Sequence, residues 1–310
     1  MEQETFDLAI IGGGTAGMTA AVYGARANLK VLLLDENACG GLVNGTQTIE
    51  NMPSYTTING MELMQKMQEQ VEALGVRVEE ASFLDGLHLN QNPKVILAND
   101  EKFEASAVIL ATGRKPVPLE IGEGCEAIHY CSVCDGNAYI GKRVVVVGGG
   151  NSGFDEALAL LDLGVEHITL IETQDRFFAA PKAVDALAQR PNAVKLTSTV
   201  IKELHQNGRL TAVTLEHNID KTITQISCDG IFVFMGQEPG TQMFEGLVDL
   251  DSQGYILTDD LMATSTAGVF AAGDVRPKKY RQITTAMADG TIAALEAERY
   301  IHRATGTLGT

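Results

Sequence analysis

The chain has 310 residues, of which 45% are hydrophobic, and a formal net charge of -17. This length corresponds to about two domains, and the hydrophobic content is sufficient for packed cores. The acidic charge argues against nucleic acids and anionic membranes as partners, because phosphate groups are bound by basic surfaces.

The start of the chain, MEQETFDLAIIGGG, is acidic and lacks the basic start and the cleavage site of a signal peptide. No apolar run reaches membrane-spanning length. The five cysteines, at positions 39, 125, 131, 134 and 228, are too sparse for a secreted disulfide framework. We therefore expect a globular, cytoplasmic enzyme.

The first segment predicts a βαβ unit with a glycine-rich turn. Residues 6–11 predict a buried strand, 12–17 a tight turn, 19–27 a helix, and 31–34 a strand that ends at Asp35. Gly12, Gly14 and Gly17 form a G-x-G-x-x-G motif, whose amides face a pyrophosphate, and Asp35 can accept hydrogen bonds from ribose hydroxyls. The alternative is a glycine-rich turn without a nucleotide.

The same pattern occurs again in the middle of the chain. Residues 144–147 predict a strand, Gly148, Gly150 and Gly153 a turn, and residues 168–171 a strand that ends at Glu172. Two dinucleotide folds on one chain indicate two nucleotides, commonly a flavin and the nicotinamide that reduces it. The alternative for the second fold is an empty fold that only holds its domain together.

Two further buried strands end at Thr112-Gly113 and at Gly273-Asp274, and a helix is predicted to start near Gln282. An acid at the tip of a parallel strand can bind a flavin next to its ribityl or pyrophosphate group, and the amides of the following helix can face the ring. The alternative for Asp274 is a turn and N-cap residue.

Cys131 and Cys134 form a C-x-x-C pair directly followed by Asp135. Such a pair can form an easily reduced disulfide, and Asp135 can donate and accept the proton as thiolates form and leave. Zinc is the alternative, because Cys125, His129 and the two cysteines supply four potential ligands within ten residues. Structural zinc sites, however, usually pair ligands from two separated knuckles.

Together these motifs resemble the low-molecular-weight thioredoxin reductases over nearly the whole chain. The matching motifs are Gly12-x-Gly14-x-x-Gly17, Gly40-Gly41, Glu50-Asn51, Ala111-Thr112-Gly113, Cys131-x-x-Cys134-Asp135-Gly136, Gly148-Gly149-Gly150-Asn151-Ser152, and Gly273-Asp274 with Arg281-Gln282. The C-x-x-C-D-G loop just before the second glycine turn is the most specific of them.

The resemblance implies an α/β fold with two Rossmann-like domains of the three-layer ββα type, the second inserted in the first. It places an FAD-binding domain at 1–117 and 244–310, and a redox-disulfide and second dinucleotide-binding domain at 118–243. It also implies a homodimer, a thioredoxin-like partner, and a domain rotation that presents the disulfide or a nicotinamide to the flavin in turn. Cys134 is then the flavin-proximal cysteine, and Cys131 attacks the partner.

The resemblance also assigns cofactor residues. For FAD these are Gly12, Gly14, Thr15, Ala16, Gly17, Asp35, Glu36, Gly41, Leu42, Asn51, Thr112, Gly113, Gly273, Asp274, Arg281, Gln282 and Ile283. For the second nucleotide they are Gly148, Gly150, Asn151, Ser152, Gly153 and Glu172. Two departures affect the flavin site, since Leu42 replaces a glutamine of the family and Thr15 a proline.

A larger departure lies where NADPH-using members hold the 2′-phosphate. Their arginines are replaced by Thr173, Gln174 and Phe178, and Glu172 replaces their histidine. Two like charges 4 Å apart repel by about 4 kcal/mol at an effective dielectric constant of about 20. We therefore expect a donor other than NADPH, with Glu172 suited to the unphosphorylated ribose of NADH, another adenine dinucleotide or a second flavin.

Residues 276–281 (RPKKYR) form the densest basic cluster of the chain. A ferredoxin could dock there as a protein donor by local charge complementarity, and the alternative is a solvated basic loop. The prediction is a flavoprotein disulfide reductase of a thioredoxin-like protein. The alternative from another class is a redox-inactive nucleotide-binding protein on the same scaffold, against which the intact cysteine pair argues.

Overall fold

The structure, a computed structural model, describes residues 4–46, 48–122 and 124–306. Residues 1–3, which begin the stretch that lacks signal-peptide features, lie outside this part of the chain. The chain divides into two compact units, one formed by residues 1–115 and 238–310 and the other by residues 116–237. The first unit is therefore discontinuous in sequence, and the second is inserted in it.

The first unit contains a mixed sheet whose spatial order is β3-β2-β1-β6-β5-β4, with β17 also pairing with β6. The pairs β3–β2, β2–β1, β1–β6 and β6–β17 are parallel, whereas the pairs β6–β5 and β5–β4 are antiparallel. The elements are β1 (Glu4–Ile11), α1 (Thr15–Arg26), β2 (Val31–Leu34), α2 (Gly60–Ala73), β3 (Arg77–Glu79), β4 (Leu84–His88), β5 (Lys94–Ala98), β6 (Glu101–Leu110), β17 (Val269–Ala271) and α6 (Ile283–Thr305).

The second unit contains a parallel sheet of order β11-β10-β9-β15-β8 and an antiparallel sheet of order β12-β13-β14. Its elements are β8 (Ile128–His129), α3 (Ser132–Asp135), β9 (Arg143–Val147), α4 (Asn151–Leu163), β10 (His167–Ile171), α5 (Pro181–Ala188), β11 (Ala193–Leu196), β12 (Thr199–Gln206), β13 (Leu210–His217), β14 (Ile223–Ser227) and β15 (Gly230–Val233). Two short strands, β7 (Arg114–Pro116) and β16 (Gln237–Pro239), form a separate two-stranded sheet.

The parallel strands of both units have two buried faces, as expected for strands with continuous apolar runs. In β1, Leu8 and Ile10 belong to the cluster that includes α1 and α6, whereas Ile11 packs with Phe244 on the opposite face. Full burial of such a side chain contributes about 1.5–3 kcal/mol. In the second unit, helices cover one face of the parallel sheet and β12–β14 the other. The predicted α/β class with two Rossmann-like folds is confirmed.

The helices after the glycine turns begin earlier than predicted. The predicted helix at residues 19–27 is α1 at Thr15–Arg26, and α4 likewise begins at Asn151, so Gly17 and Gly153 lie inside helices rather than in turns. A Cβ on Gly17 would lie 1.8 Å from the Gly12 carbonyl oxygen, and one on Gly153 1.9 Å from that of Gly148. Because glycine lacks a Cβ, the first helical turn can pack directly against the strand end. None of the described helices is long and apolar enough to span a membrane.

Candidate functional site

The first glycine turn joins β1 to α1 and is held by the acid that ends β2. Asp35 accepts hydrogen bonds from the amides of Gly13, at 2.6 Å, and of Asn37, at 2.8 Å. Burial raises the pKa of Asp35, and these two hydrogen bonds oppose the shift. A Cβ on Gly14 would meet no atom within 4 Å, so this side of the turn is open where a pyrophosphate could reach the first amides of α1.

Asp274 follows β17 in the 3₁₀ turn Gly273–Val275. Its Oδ1 is buried and finds no hydrogen-bond partner among the described residues. Burial raises the pKa of Asp274, and Lys278 and Arg281 lower it. A buried carboxylate without a donor is unfavourable, so this oxygen is suited to a hydroxyl from a bound group. Asp274 does not cap α6, whose N-cap is Gln282.

Several other predicted flavin residues lie beside these two turns. A Cβ on Gly41 would lie 3.8 Å from the Gly14 Cα, which places the second glycine pair next to the first turn. The Asn51 side-chain amide donates to the Gln282 side chain at 3.1 Å. Thr112 donates through its hydroxyl to a backbone carbonyl at 2.8 Å. Of the remaining positions, Thr15 and Ala16 are buried, Glu36 and Leu42 are exposed, Gly113 has a positive φ, and Ile283 is the first residue of α6.

Asp289, on α6, is a residue of this region that sequence reasoning missed. Its Oδ2 accepts hydrogen bonds from the Gly273 amide and the Arg276 guanidinium, both at 3.0 Å, and lies 2.7 Å from the Lys278 Nζ. All three charged side chains are nearly buried. An acid within an apolar helix was the available signal, but its partners lie 11 to 16 residues earlier in the sequence.

The Asp289 cluster changes the interpretation of the basic segment at 276–281. Arg276 and Lys278 are paired internally, and the Arg281 guanidinium lies 4.7 Å from the centroid of the Tyr255 ring and donates to a backbone carbonyl. Lys279 and Tyr280 are the exposed side chains of this segment besides Pro277. The segment is thus mainly an internal brace of the turn that carries Asp274, not a free basic surface.

Cys131 and Cys134 form a disulfide with a Cα–Cα distance of 5.4 Å. Cys131 is the N-cap of the single-turn helix α3, and its Sγ accepts a hydrogen bond from the Cys134 amide at 3.1 Å. Cys134 is exposed and Cys131 half-buried. Among the described residues no group of three or more His, Cys, Asp or Glu side chains is arranged to hold a metal. The structure thus supports the redox-disulfide interpretation of the pair.

The acid of the C-x-x-C-D loop is bonded to a histidine. Asp135 Oδ2 lies 3.2 Å from His129 Nδ1, and the other ring nitrogen lies 2.7 Å from the Tyr139 hydroxyl. Both rings pack against Phe232, with centroids 5.2 and 5.3 Å away. Sequence reasoning treated His129 only as a potential zinc ligand and missed Tyr139. The H-x5-D-x3-Y spacing was visible, but the sequence did not show that a strand end and a turn meet there.

A second contact fixes the disulfide helix on α4. The Ser132 hydroxyl donates a hydrogen bond to Glu156 Oε2, and Ser132 is buried. Burial raises the pKa of Glu156, and the Ser132 hydrogen bond opposes the shift. Position 132, between the two cysteines, therefore anchors the loop to the helix that follows the second glycine turn.

The second glycine turn repeats the geometry of the first. Glu172 accepts hydrogen bonds from the amides of Gly149, at 2.7 Å, and Gln174, at 2.9 Å. The following loop is tied to the same turn, because Asn151 accepts from the Ala180 amide and the Phe178 amide donates to the Gly149 carbonyl, each at 2.8 Å. Of the predicted residues, Gly153 is buried, Gly148 has a positive φ, Gly150 precedes α4, and Asn151 and Ser152 begin it.

The side chains at the positions where the family carries its arginines are exposed. Thr173, Gln174 and Phe178 are exposed, and the Arg176 guanidinium lies 5.2 Å from the centroid of the Phe178 ring. Residues 172–178 contain two acids and one base, which gives a formal net charge of -2 + 1 = -1. This loop therefore offers a 2′-phosphate one exposed cation and two repelling carboxylates.

Comparison with known proteins agrees with this architecture. Residues 6–290 match the family described as pyridine nucleotide-disulphide oxidoreductase. The chain is 39% identical over 304 residues to the 34.2 kDa protein in the rubredoxin operon of Clostridium pasteurianum, covering 97% of this chain and 98% of that one. It is 36% identical to thioredoxin reductase of Bacillus subtilis, covering 100% and 99%. The crystal structure of Lactococcus lactis thioredoxin reductase matches with a TM-score of 0.84 at 36% identity, covering 96% and 99%.

The fold and the disulfide site define a flavoprotein disulfide oxidoreductase. The chain belongs to the pyridine nucleotide-disulphide oxidoreductase family and, within it, to the thioredoxin reductase-like proteins of low molecular weight. The family resemblance seen in the sequence is thereby confirmed, and membership implies FAD as cofactor.

Proposed function

We propose that this protein passes electrons from a donor other than NADPH, through FAD and the Cys131–Cys134 disulfide, to a thioredoxin-like protein. The observation that carries the proposal is the disulfide itself, bonded in a loop with Asp135 directly behind it. The domain assignment follows, with FAD in the discontinuous domain predicted at 1–117 and 244–310 and the disulfide in the domain predicted at 118–243. The homodimer implied by the resemblance is part of the same proposal.

The residues of the first unit fit FAD. The open side of the Gly14 turn would receive the pyrophosphate, and the unpartnered Oδ1 of Asp274 would accept a hydroxyl hydrogen bond. Bound FAD supplies a two-electron carrier between the donor and the disulfide. Asp35 would orient the turn through Gly13 while each of its oxygens keeps a second lone pair for a ribose hydroxyl.

The two sulfurs of the disulfide have different roles in the reaction. Two electrons break the S–S bond and leave one sulfur as thiolate while the other takes a proton. The Cys134 amide donates to Cys131 Sγ, which stabilises negative charge there and supports Cys131 as the nucleophile. Cys131 attacks the partner disulfide, and Cys134 then attacks the Cys131 sulfur and releases the partner as a dithiol. Asp135 takes the proton that Cys134 loses.

The donor proposal is supported by the loop after β10. With Glu172 and Asp175 near it, a 2′-phosphate meets repulsion of about 4 kcal/mol per like charge at 4 Å and an effective dielectric constant of about 20. Arg176 offsets one such charge. NADH fits Glu172 better, since a ribose hydroxyl can donate to a carboxylate oxygen. Another adenine dinucleotide or a second flavin would satisfy the same acceptor.

A ferredoxin remains the protein-donor alternative, with a smaller docking surface than the sequence indicated. Lys279 is the exposed cation of the 276–281 segment, and Tyr280, 65% exposed, lies beside it. The non-enzyme alternative, a redox-inactive nucleotide-binding protein, has the bonded Cys131–Cys134 pair against it.

Anaerobic reduction of the bound flavin tests the donor. NADH, NADPH and reduced ferredoxin are offered separately, and bleaching of the flavin absorbance is followed. We expect NADPH to be the slowest pyridine nucleotide, and faster reduction by NADPH than by NADH and ferredoxin would overturn the proposal. Protein that is colourless and does not take up FAD would overturn the flavoprotein assignment.

A further inference from the structure

His129 is held from three sides behind the redox disulfide. Its Nδ1 lies 3.2 Å from Asp135 Oδ2 and its Nε2 2.7 Å from the Tyr139 hydroxyl. Its ring packs on Tyr139 and Phe232, with centroids 5.1 and 5.2 Å away. The His129 side chain is 15% exposed, and that of Asp135 40%. The imidazole is thus a fixed internal group, while the carboxyl that it contacts reaches the surface.

The hydrogen bonds define how the imidazole serves Asp135. An ionised carboxylate can only accept, so the proton of a neutral imidazole lies on Nδ1 and Nε2 accepts from the Tyr139 hydroxyl. Burial raises the pKa of Tyr139, and the negative charge of Asp135 raises it further. The Tyr139 hydroxyl therefore keeps the proton that it donates in this hydrogen bond. Because His129 contacts Oδ2, the other oxygen of Asp135, Oδ1, is outside this contact. Oδ1 can therefore serve the adjacent Cys134.

This arrangement matches the general logic of an activated nucleophile, in which a base next to the nucleophile is oriented by a third group. Here the nucleophile is Cys134, the base Asp135 and the orienting group His129.

Other titratable groups surround this cluster. Cys125, Cys228 and Asp229 act electrostatically on Tyr139, and the Lys142 ammonium lies 5.0 Å from the centroid of its ring. Burial raises the pKa of Cys228 to about 12, so it stays a thiol at neutral pH.

We propose that His129 is a positioning residue for the second half of disulfide exchange, because it orients the Asp135 carboxylate that serves Cys134. The inference rests on the proposed disulfide-reductase function. In this step the Cys134 thiol transfers its proton to Asp135, and the Cys134 thiolate attacks the Cys131 sulfur of the mixed disulfide. The intramolecular S–S bond forms, the bond to the partner sulfur breaks, and the partner leaves as a thiolate.

The test uses anaerobically reduced holoprotein and one equivalent of a chromogenic dipyridyl disulfide, so that neither the physiological donor nor the partner is needed. The first thiolate released reports attack by Cys131, and the second reports ring closure by Cys134. In His129→Gln, which keeps hydrogen-bonding groups but does not titrate, we expect the first phase to stay within about twofold and the second to slow about tenfold. The ratio of the two rates is the readout, because a general loss of structure would slow both phases.

Tyr139→Phe is the second variant, because it keeps the ring packing and removes only the hydroxyl that fixes Nε2. It should slow the second phase less than His129→Gln. The matched control is His205→Gln in β12, whose Nε2 lies 2.6 Å from the Thr214 hydroxyl, and it should match wild type in both phases. Retained flavin absorbance checks that each variant is folded.

The outcomes separate this inference from the function on which it rests. If Asp135→Asn leaves ring closure unchanged, the proposed role of Asp135 fails, and the role of His129 fails with it. If Asp135→Asn slows ring closure but His129→Gln keeps the wild-type rate of ring closure, His129 is structural and only the present inference fails.

Discussion

Replacing Asp274 by asparagine tests the flavin site from two directions. The change keeps the shape of the side chain and removes the charge from the buried Oδ1, which has no hydrogen-bond partner among the described residues. A net hydrogen bond to a charged group contributes about 1.5–3 kcal/mol, roughly twice a neutral one. The variant should therefore lose about 1–1.5 kcal/mol of FAD binding, or about five- to tenfold in Kd.

The apoprotein should respond in the opposite direction. Because burial raises the pKa of Asp274 above its ordinary value of 3.8, the folded state holds this proton more tightly than the unfolded state. The stability that protonated Asp274 contributes to the apoprotein is therefore lost as pH rises from 3.8 through the folded-state pKa. At neutral pH the buried charge of Asp274 lowers the free energy of unfolding. Asp274→Asn apoprotein should thus unfold at a higher temperature than wild type at pH 7.

The assays are FAD titration by fluorescence quenching and thermal unfolding of the apoprotein, each across pH. Asp260→Asn, an exposed acid on the connection that precedes β17, is the matched control and should change neither. An Asp274→Asn variant that binds FAD as tightly as wild type would refute the assignment of Oδ1 as an acceptor for the cofactor. An apoprotein less stable than wild type would refute the claim that this charge is unfavourably buried.

Three further predictions concern the disulfide, the donor and the brace on α6. Cys134→Ser, which cannot form the disulfide, should leave flavin reduction intact and abolish electron transfer from the flavin to an added disulfide substrate; undiminished reduction of that substrate would contradict the assignment. Thr173→Arg, Gln174→Arg and Phe178→Arg together, with Glu172 kept because it holds the turn, should raise kcat/KM for NADPH, and no gain would favour an empty second fold and a docked protein donor near Lys279. Asp289→Asn should destabilise the protein by about 3–5 kcal/mol in chemical denaturation, because it leaves two nearly buried cations without their partner; a loss below about 1 kcal/mol would show that solvent replaces the carboxylate.

The sequence was sufficient for features that depend on local pattern. The strand at residues 31–34 occurs with the predicted bounds, because four consecutive apolar residues between polar ends allow little else. The start of α1 was predicted too late because Gly17 was assigned to the turn. Gly17 lies in the helix, and a glycine is needed there because a Cβ would lie 1.8 Å from the Gly12 carbonyl oxygen. That contact exists only once strand and helix have packed.

Features that depend on contacts between distant segments could not be read in the same way. The basic segment at 276–281 looked like a free cationic surface because its neutralising acid, Asp289, comes later on α6. His129 and Tyr139 were likewise visible as residues but not as a bonded pair, since their contact requires β8 to end beside the turn after α3. In both cases charge and residue type were known, and the missing information was which groups face each other.

The acid at the end of the second strand of each fold bonds to its own glycine turn, Asp35 to Gly13 and Glu172 to Gly149. Each carboxylate is therefore a structural part of the turn, whether or not a nucleotide is bound. If the second fold binds the electron donor, as proposed above, its specificity can change at exposed positions such as 173 and 174, where substitution has little effect on folding, while Glu172 is retained for the turn. The donor preference of this fold could then evolve almost independently of its stability.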